Sequence, residues 1–284
     1  MRTYHHFQLP YRFYWWLIIA VLLYAFNTLY KYIYAPFKIR QSQRQPGTVS
    51  YQACEITDLP AHITPHFLRT VPPLASAGFV TQGCATRMIP ETHLESYVSL
   101  WVNQKLQDTA QIITVVVRPA GGTTKVVNST LFRTEFTDET SIITTNSGSG
   151  GVFPRDPNVA GISSPALQDI GELYRLHRAR VAYHRGSRKP TIPVFKDATA
   201  SLQNEHHKTF ERLITARYYD YDPASDEYIP TMRGAFLMTY KMLTPFKQIQ
   251  KRRKQTAAVK EMRRVGFERL APQPAVVPPT EAAN

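Results

Sequence analysis

The chain has 284 residues, 43% of them hydrophobic, and a formal net charge of +13. That length supports one or two domains whose core needs no disulfide or metal staple, and the apolar content excludes a wholly disordered chain. Two cysteines exclude a disulfide scaffold.

The charge is unevenly placed. Residues 1–50 carry +6 and residues 230–284 carry +8, whereas 51–165 carry −2 and 166–229 carry +1. A nucleic-acid binder more often holds its basic patch on the folded domain. Here the first basic end adjoins an apolar stretch, which points to a membrane surface and away from nucleic acid.

Phe13 to Tyr30 is a run of 18 residues without a formal charge. As an α-helix it would span ~27 Å, close to the hydrocarbon thickness of a bilayer. Trp15, Trp16, Leu17, Ile18, Ile19, Val21, Leu22, Leu23 and Phe26 are its membrane-facing residues. Tyr11, Tyr14, Trp15 and Trp16 cluster at one end and Tyr30, Tyr32 and Tyr34 at the other, where aromatic rings suit the two interfaces. A cleaved signal peptide would have a shorter apolar core and a small-residue cleavage site. A buried core helix would rarely be aromatic at both ends and apolar all round. The reading adopted is one transmembrane helix. Arg2 and Arg12 precede it; Lys31, Lys38, Arg40 and Arg44 follow it. This bias predicts a single pass with an extracytoplasmic N-terminus and the body on the cytoplasmic side. Free Cys54 and Cys84 fit a reducing compartment.

Residues 35–50, with Pro36, Pro46 and Gly47, read as a linker. A short helix follows, with Thr64 as N-cap, Pro65 in its first turn and Gly78 as its stop. Its buried face is Phe67, Leu68, Val71 and Leu74. Then comes a β-meander: 79–89, 97–102, 112–118, 125–137 and 141–145, with turns at Gln107-Asp108, Pro119–Gly122 and Thr137–Thr140. The fold class predicted is α+β: an N-terminal transmembrane helix, an antiparallel β-meander with one preceding helix, and a C-terminal helical part. Such a sheet can leave one face open. Asn146–Gly151 lacks the GxxxxGK[ST] pattern of a phosphate loop and reads as a flexible turn.

From Ser164-Pro165 a helix is expected, its stripe being Leu167, Ile170, Leu173 or Tyr174, and Leu176 or His177. The break at Lys189–Pro193 separates it from a second helix at 197–218. Residues 230–267 form the last basic element. Phe236 and Leu243 belong to an apolar part too short to cross a bilayer, and Lys251, Arg252, Arg253 and Lys254 follow. An amphipathic helix lying in the interface over anionic lipid headgroups fits this pattern. A core helix with a solvated basic continuation is the competing reading. Residues 271–284 hold four prolines without apolar period and read as a disordered tail. The organisation is therefore 1–34 N-terminal segment and span, 35–50 linker, 51–163 α+β domain, 164–229 helical hairpin, 230–267 basic amphipathic helix, 268–284 tail.

No reaction is legible. His206-His207 face different sides of a helix. His62 and His66 have i,i+4 spacing, but Cys54 and Cys84 do not complete a zinc pattern. His177 reads as a partly buried polar residue, and Glu135, Asp138 and Glu139 as a solvated hairpin. No cofactor, metal or catalytic residue is assigned.

Two stretches carry a resemblance. One is Ile143–Ser147 with Val152–Pro154 and Leu173–Arg178; the other is Arg233–Lys247. They resemble stretches in uncharacterised bacterial proteins with one N-terminal anchor. The resemblance implies a bacterial inner-membrane protein of unassigned function and carries over no site residues. The expected role is binding or assembly at the membrane, with a membrane protein partner as one option. The alternative is an enzyme on a lipid-linked or membrane-proximal substrate.

Overall fold

One helix, α1 (Tyr11–Ser42), carries the apolar stretch and continues past it. The computed structural model describes residues 11–89, 94–118, 122–148, 151–192 and 197–267. Arg2, the tail 268–284, Pro119–Gly121, Ser149, Gly150 and Pro193 lie outside the described residues. α1 is long and apolar enough to cross a membrane, and its apolar side chains from Tyr14 to Tyr30 are exposed. Pro36 removes one backbone hydrogen bond without ending the helix.

The expected linker is not free chain. Its first part is the end of α1. Ile39 packs against a small apolar cluster, and Gln43 O accepts a hydrogen bond from Tyr219 Oη at 3.2 Å. Strand β1 (Gln45–Pro46) then joins a three-stranded sheet with two strands from much later in the chain.

The main sheet begins at β2 (Gln52–Cys54). After helix α2 (Thr64–Ser76) come β3 (Val80–Ile89), β4 (Leu94–Asn103), β5 (Asp108–Val117), β6 (Lys125–Phe136) and β7 (Ser141–Thr145). Each pairs antiparallel with its neighbour, as the alternation of branched and polar residues predicts. The turns carry the needed left-handed residues: Gln107 at φ 56° and Glu139 at φ 64°. Gly83, at φ 131°, sits in a bulge of β3. A Cβ there would meet Ala198 at 3.2 Å, so the missing side chain also lets a helix approach.

Strand β8 (Val159–Ser163) was not expected. It pairs parallel with β7 and closes the sheet. Helices α3 (Ile170–His184) and α4 (Ala198–Thr215) follow, with the two-residue β9 (Pro190–Thr191) between them pairing with β6. Strands β10 (Tyr219–Asp222) and β11 (Glu227–Pro230) form a hairpin that receives β1. Helices α5 (Met232–Met242) and α6 (Phe246–Arg264) end the described chain.

The sheet carries helices on both faces. Phe67 and Leu74 of α2, Leu173, Tyr174 and Leu176 of α3, and Ala258 and Met262 of α6 pack on Trp101, Ala110, Ile112 and Phe132. Ala198 and Leu202 of α4 pack on Ala85, Val98 and Leu100 of the opposite face. Alternate residues along each strand therefore enter two different cores.

Three helix boundaries differ from expectation. Thr64 does not cap α2; its hydroxyl donates to Leu59 O and Pro60 O, because the chain already turns from Pro60 onward. α3 does not start at Ser164-Pro165. Ser164 N bonds Thr145 O and prolongs the β7–β8 pairing, and Asp169 is the cap, accepting from Glu172 N at 2.7 Å. The single basic helix expected over 230–267 is two helices, broken at Leu243-Thr244-Pro245. The end of the expected helical hairpin is the β10–β11 hairpin, whose Tyr219 and Tyr228 are buried against Phe210 of α4.

A polar network runs under α3. His177 is fully buried; its Nε2 lies 3.0 Å from Thr134 Oγ1 and its Nδ1 3.1 Å from Thr144 Oγ1. Thr134, Tyr174 and Arg178 donate to the buried Asp108 at 2.6, 2.8 and 2.8 Å. Burial, then the charges of Arg180 and Arg178, push the His177 pKa well below its ordinary value of 6.5. Burial also lowers His66 and His206. Below that ordinary value the unfolded chain takes up protons that the native rings do not bind. Stability is therefore present above about pH 6.5 and is lost as pH falls, by up to ~1.4 kcal/mol per pH unit for the fully buried His177 and by less for the less deeply buried His66 and His206. Thermal melts of the full chain from pH 7 to 5 are expected to show this fall, and His177→Gln should flatten it. An unchanged slope in the variant would remove His177 from the account.

Candidate functional site

A cavity of about 550 Å³ opens between the β7–β8 edge and α6. Its floor is apolar, with Ile143, Ile162, Pro165 and Ala258 among its lining. Its walls are cationic: Arg155, Lys241, Lys247, Lys251 and Lys254. On α6 the spacing Lys247, Lys251, Lys254, Ala258, Glu261 is a run of three- and four-residue steps, which places them on one helix face.

Two lysines are anchored to the wall. Lys241 Nζ donates to Val152 O at 2.9 Å and to Tyr218 Oη at 3.0 Å. Lys254 Nζ reaches Gly151 O at 3.4 Å. Burial, then the like charges of Arg155 and Lys241, lower the Lys254 pKa. Among the described residues none of the five cations has a carboxylate in ion-pair range.

Glu261 is the carboxylate that lines the cavity, and it is committed elsewhere. It contacts His184 Nε2 and lies 3.6 Å from Arg180 Nε. Burial works to raise its pKa, but the hydrogen bond and charge of His184 and the charges of Arg180 and Arg264 outweigh this, and the net shift is downward. The pair ties α6 to α3 and leaves the wall cations unneutralised.

A second cavity, about 770 Å³, lies between α4 and the sheet. Its lining holds more carboxylates (Glu135, Glu139, Asp156, Glu205 and Glu211) than cations (Arg133, Lys208 and Arg212), and two of the cations are already paired. Arg133 pairs with Glu135 at 2.7 Å and Glu205 at 3.1 Å, and Arg212 with Asp156 at 2.9 Å. An anion would meet this carboxylate excess and would first have to break the pairs of Arg133 and Arg212, so this cavity offers less to an anionic partner.

The membrane-facing residues expected from sequence lie together on α1. Trp15, Trp16, Leu17, Ile18, Ile19, Val21, Leu22, Leu23 and Phe26 are between 42% and 70% exposed. The surface residues divide. Phe236 is exposed on α5, whereas Leu243, at its C-cap, is half-buried. Lys251 and Lys254 line the cavity. Arg252 and Arg253, between them in sequence, are exposed and do not line it. Sequence reasoning missed Arg155, Lys241 and Lys247 as members of one site. The helical step from Lys247 to Lys254 was the available signal; Arg155 had none.

Other expectations resolve into structural roles. Asn146 is buried and accepts from Thr130 N at 2.7 Å, which pins the start of its loop to β6. Asp138 accepts from Thr140 N and so closes the β6–β7 turn. His207 Nδ1 contacts Tyr228 Oη at 2.8 Å. No group of three His, Cys, Asp or Glu side chains that could hold a metal lies among the described residues. The chain matches no protein-family model, no curated protein and no solved structure.

Proposed function

We propose that this is a single-pass membrane protein whose folded body works at the cytoplasmic face of a bacterial inner membrane, in binding or assembly. The observation that carries the reading is the junction between span and body. α1 packs on α5, and Tyr32 Oη donates to Thr244 O at 3.0 Å. Tyr32 lies two residues past the apolar run, so the α5–α6 turn is held at the depth where the span meets the headgroups. Exposed Phe236, Tyr240 and Met242 on α5 supply apolar contact there, and the cations of α6 supply attraction to anionic lipid. The bacterial placement follows the resemblance, and the sidedness follows the Lys/Arg bias.

The cysteines offer a test of sidedness. Cys54 and Cys84 are register partners on β2 and β3, with their sulfurs 2.9 Å apart. Burial is the first cause raising both thiol pKa values, so little thiolate forms at neutral pH. With a small-molecule disulfide as oxidant, the purified full chain should form the internal disulfide, and faster as pH rises. In cells, alkylation under denaturing quench should instead find two free thiols, as a reducing compartment requires. A chain isolated already crosslinked would place the body outside the cytoplasm.

A further inference from the structure

We propose that the cavity between β7–β8 and α6 is a binding site for a phosphate-bearing anion presented at the membrane surface. Three observations converge. The first is charge. Arg155, Lys241, Lys247, Lys251 and Lys254 converge on one concavity, and the carboxylate within it is held by His184 and Arg180. Like charges gathered without a counter-charge repel one another, and a bound anion removes that cost. A carboxylate brings one charge. A phosphate monoester brings up to about two and three strong acceptor oxygens, which suits several donors.

The second observation is shape. The cavity, about 550 Å³, is far larger than an ion needs and has an apolar floor of Ile143, Ile162 and Ala258. The ligand therefore has an organic part beside its phosphate. The third is position. Lys241 and Lys247 each stand three residues from Thr244, the residue that Tyr32 of α1 touches. The two lysines flank the break between α5 and α6 at which α1 is held. Lipid headgroups and soluble phosphate esters share this chemistry. The lipid source rests on the anchoring reading above; the site itself does not.

The test uses the full chain in micelles of a neutral detergent. Calorimetric titrations are run with short-chain phosphatidate and, separately, with inorganic phosphate. Saturable binding of one equivalent is expected. Lys251→Gln with Lys254→Gln should weaken it by about tenfold or more, since each removes a charge-assisted contact. Arg252→Gln with Arg253→Gln removes the same net charge from outside the cavity and should weaken it by less than about twofold. Melting curves confirm that both variants fold. Tighter binding of phosphatidate than of phosphate supports a lipid ligand; saturable binding of phosphate with no gain from the acyl chains assigns the site to soluble phosphate and overturns the lipid source and the role of the apolar floor. Absence of saturable binding in both titrations, or equal loss in both variants, overturns the proposal. Binding in micelles does not require α1 to cross a bilayer, so its failure leaves the anchor standing, and an anchor failure leaves this result standing.

Discussion

Replacing Arg180 by Leu is expected to destabilise the folded body by about 3–5 kcal/mol, the range for breaking a buried charged network. Arg180 is 2% exposed. Its Nη1 donates to Ile143 O at 2.6 Å and Thr144 Oγ1 at 2.9 Å, and its Nη2 donates to Ala160 O at 2.7 Å. One guanidinium thus bonds β7 and β8 together and faces Glu261 of α6. Burial lowers its pKa to about 10, with Glu261 opposing the shift, so it stays charged at neutral pH. Leucine would leave two carbonyls short of donors and take one cation from Glu261. Domains have only about 5–15 kcal/mol in hand, so a loss of this size removes a large share of that stability and would populate the unfolded state at the low end of the range. Arg180→Lys keeps the charge but not the fork, and should fall between the two. Urea melts of the full chain in detergent measure this. A loss below about 1 kcal/mol would show that the β7–β8 edge does not depend on the guanidinium.

Full-length protein is expected to stay with membranes through a carbonate wash, and the double variant Leu22→Arg, Leu23→Arg to be released. Both positions lie near the centre of the apolar run. Each arginine there costs ~2.5–3.5 kcal/mol of insertion free energy, and each lost leucine forfeits a few tenths more. Trp16→Arg, near the end, can snorkel and should be retained better. Release of the unmodified chain would remove the span, and equal retention of the double variant would show attachment by other surfaces. A truncation made at Gly47 is a poor control, because it strips β1 and Ile39 from the body. A cut before Lys31 keeps them.

What the sequence by itself determined was local. The apolar run fixes a helix long enough to span because every turn of it is apolar, whatever lies elsewhere. β7 is read to its residues, and β5, β6 and α4 to within a few, because alternation, turn residues and helical apolar spacing are all short-range signals. β8 is different. Val159-Ala160-Gly161-Ile162-Ser163 has little alternation, and it is a strand because β7 and Arg180 supply its partners. β1 likewise exists only because Tyr228 and Glu227, from far along the chain, lie beside it. The division of the Lys251–Lys254 run into two inward and two outward residues was latent in the helical period, yet which face is inward depends on where Met262 and Ala258 pack. Arg155 joined the lysines only through the fold. Its place is set by the β7–β8 crossover, and hydrogen bonds between distant strands leave no periodic mark on the residues they bring together.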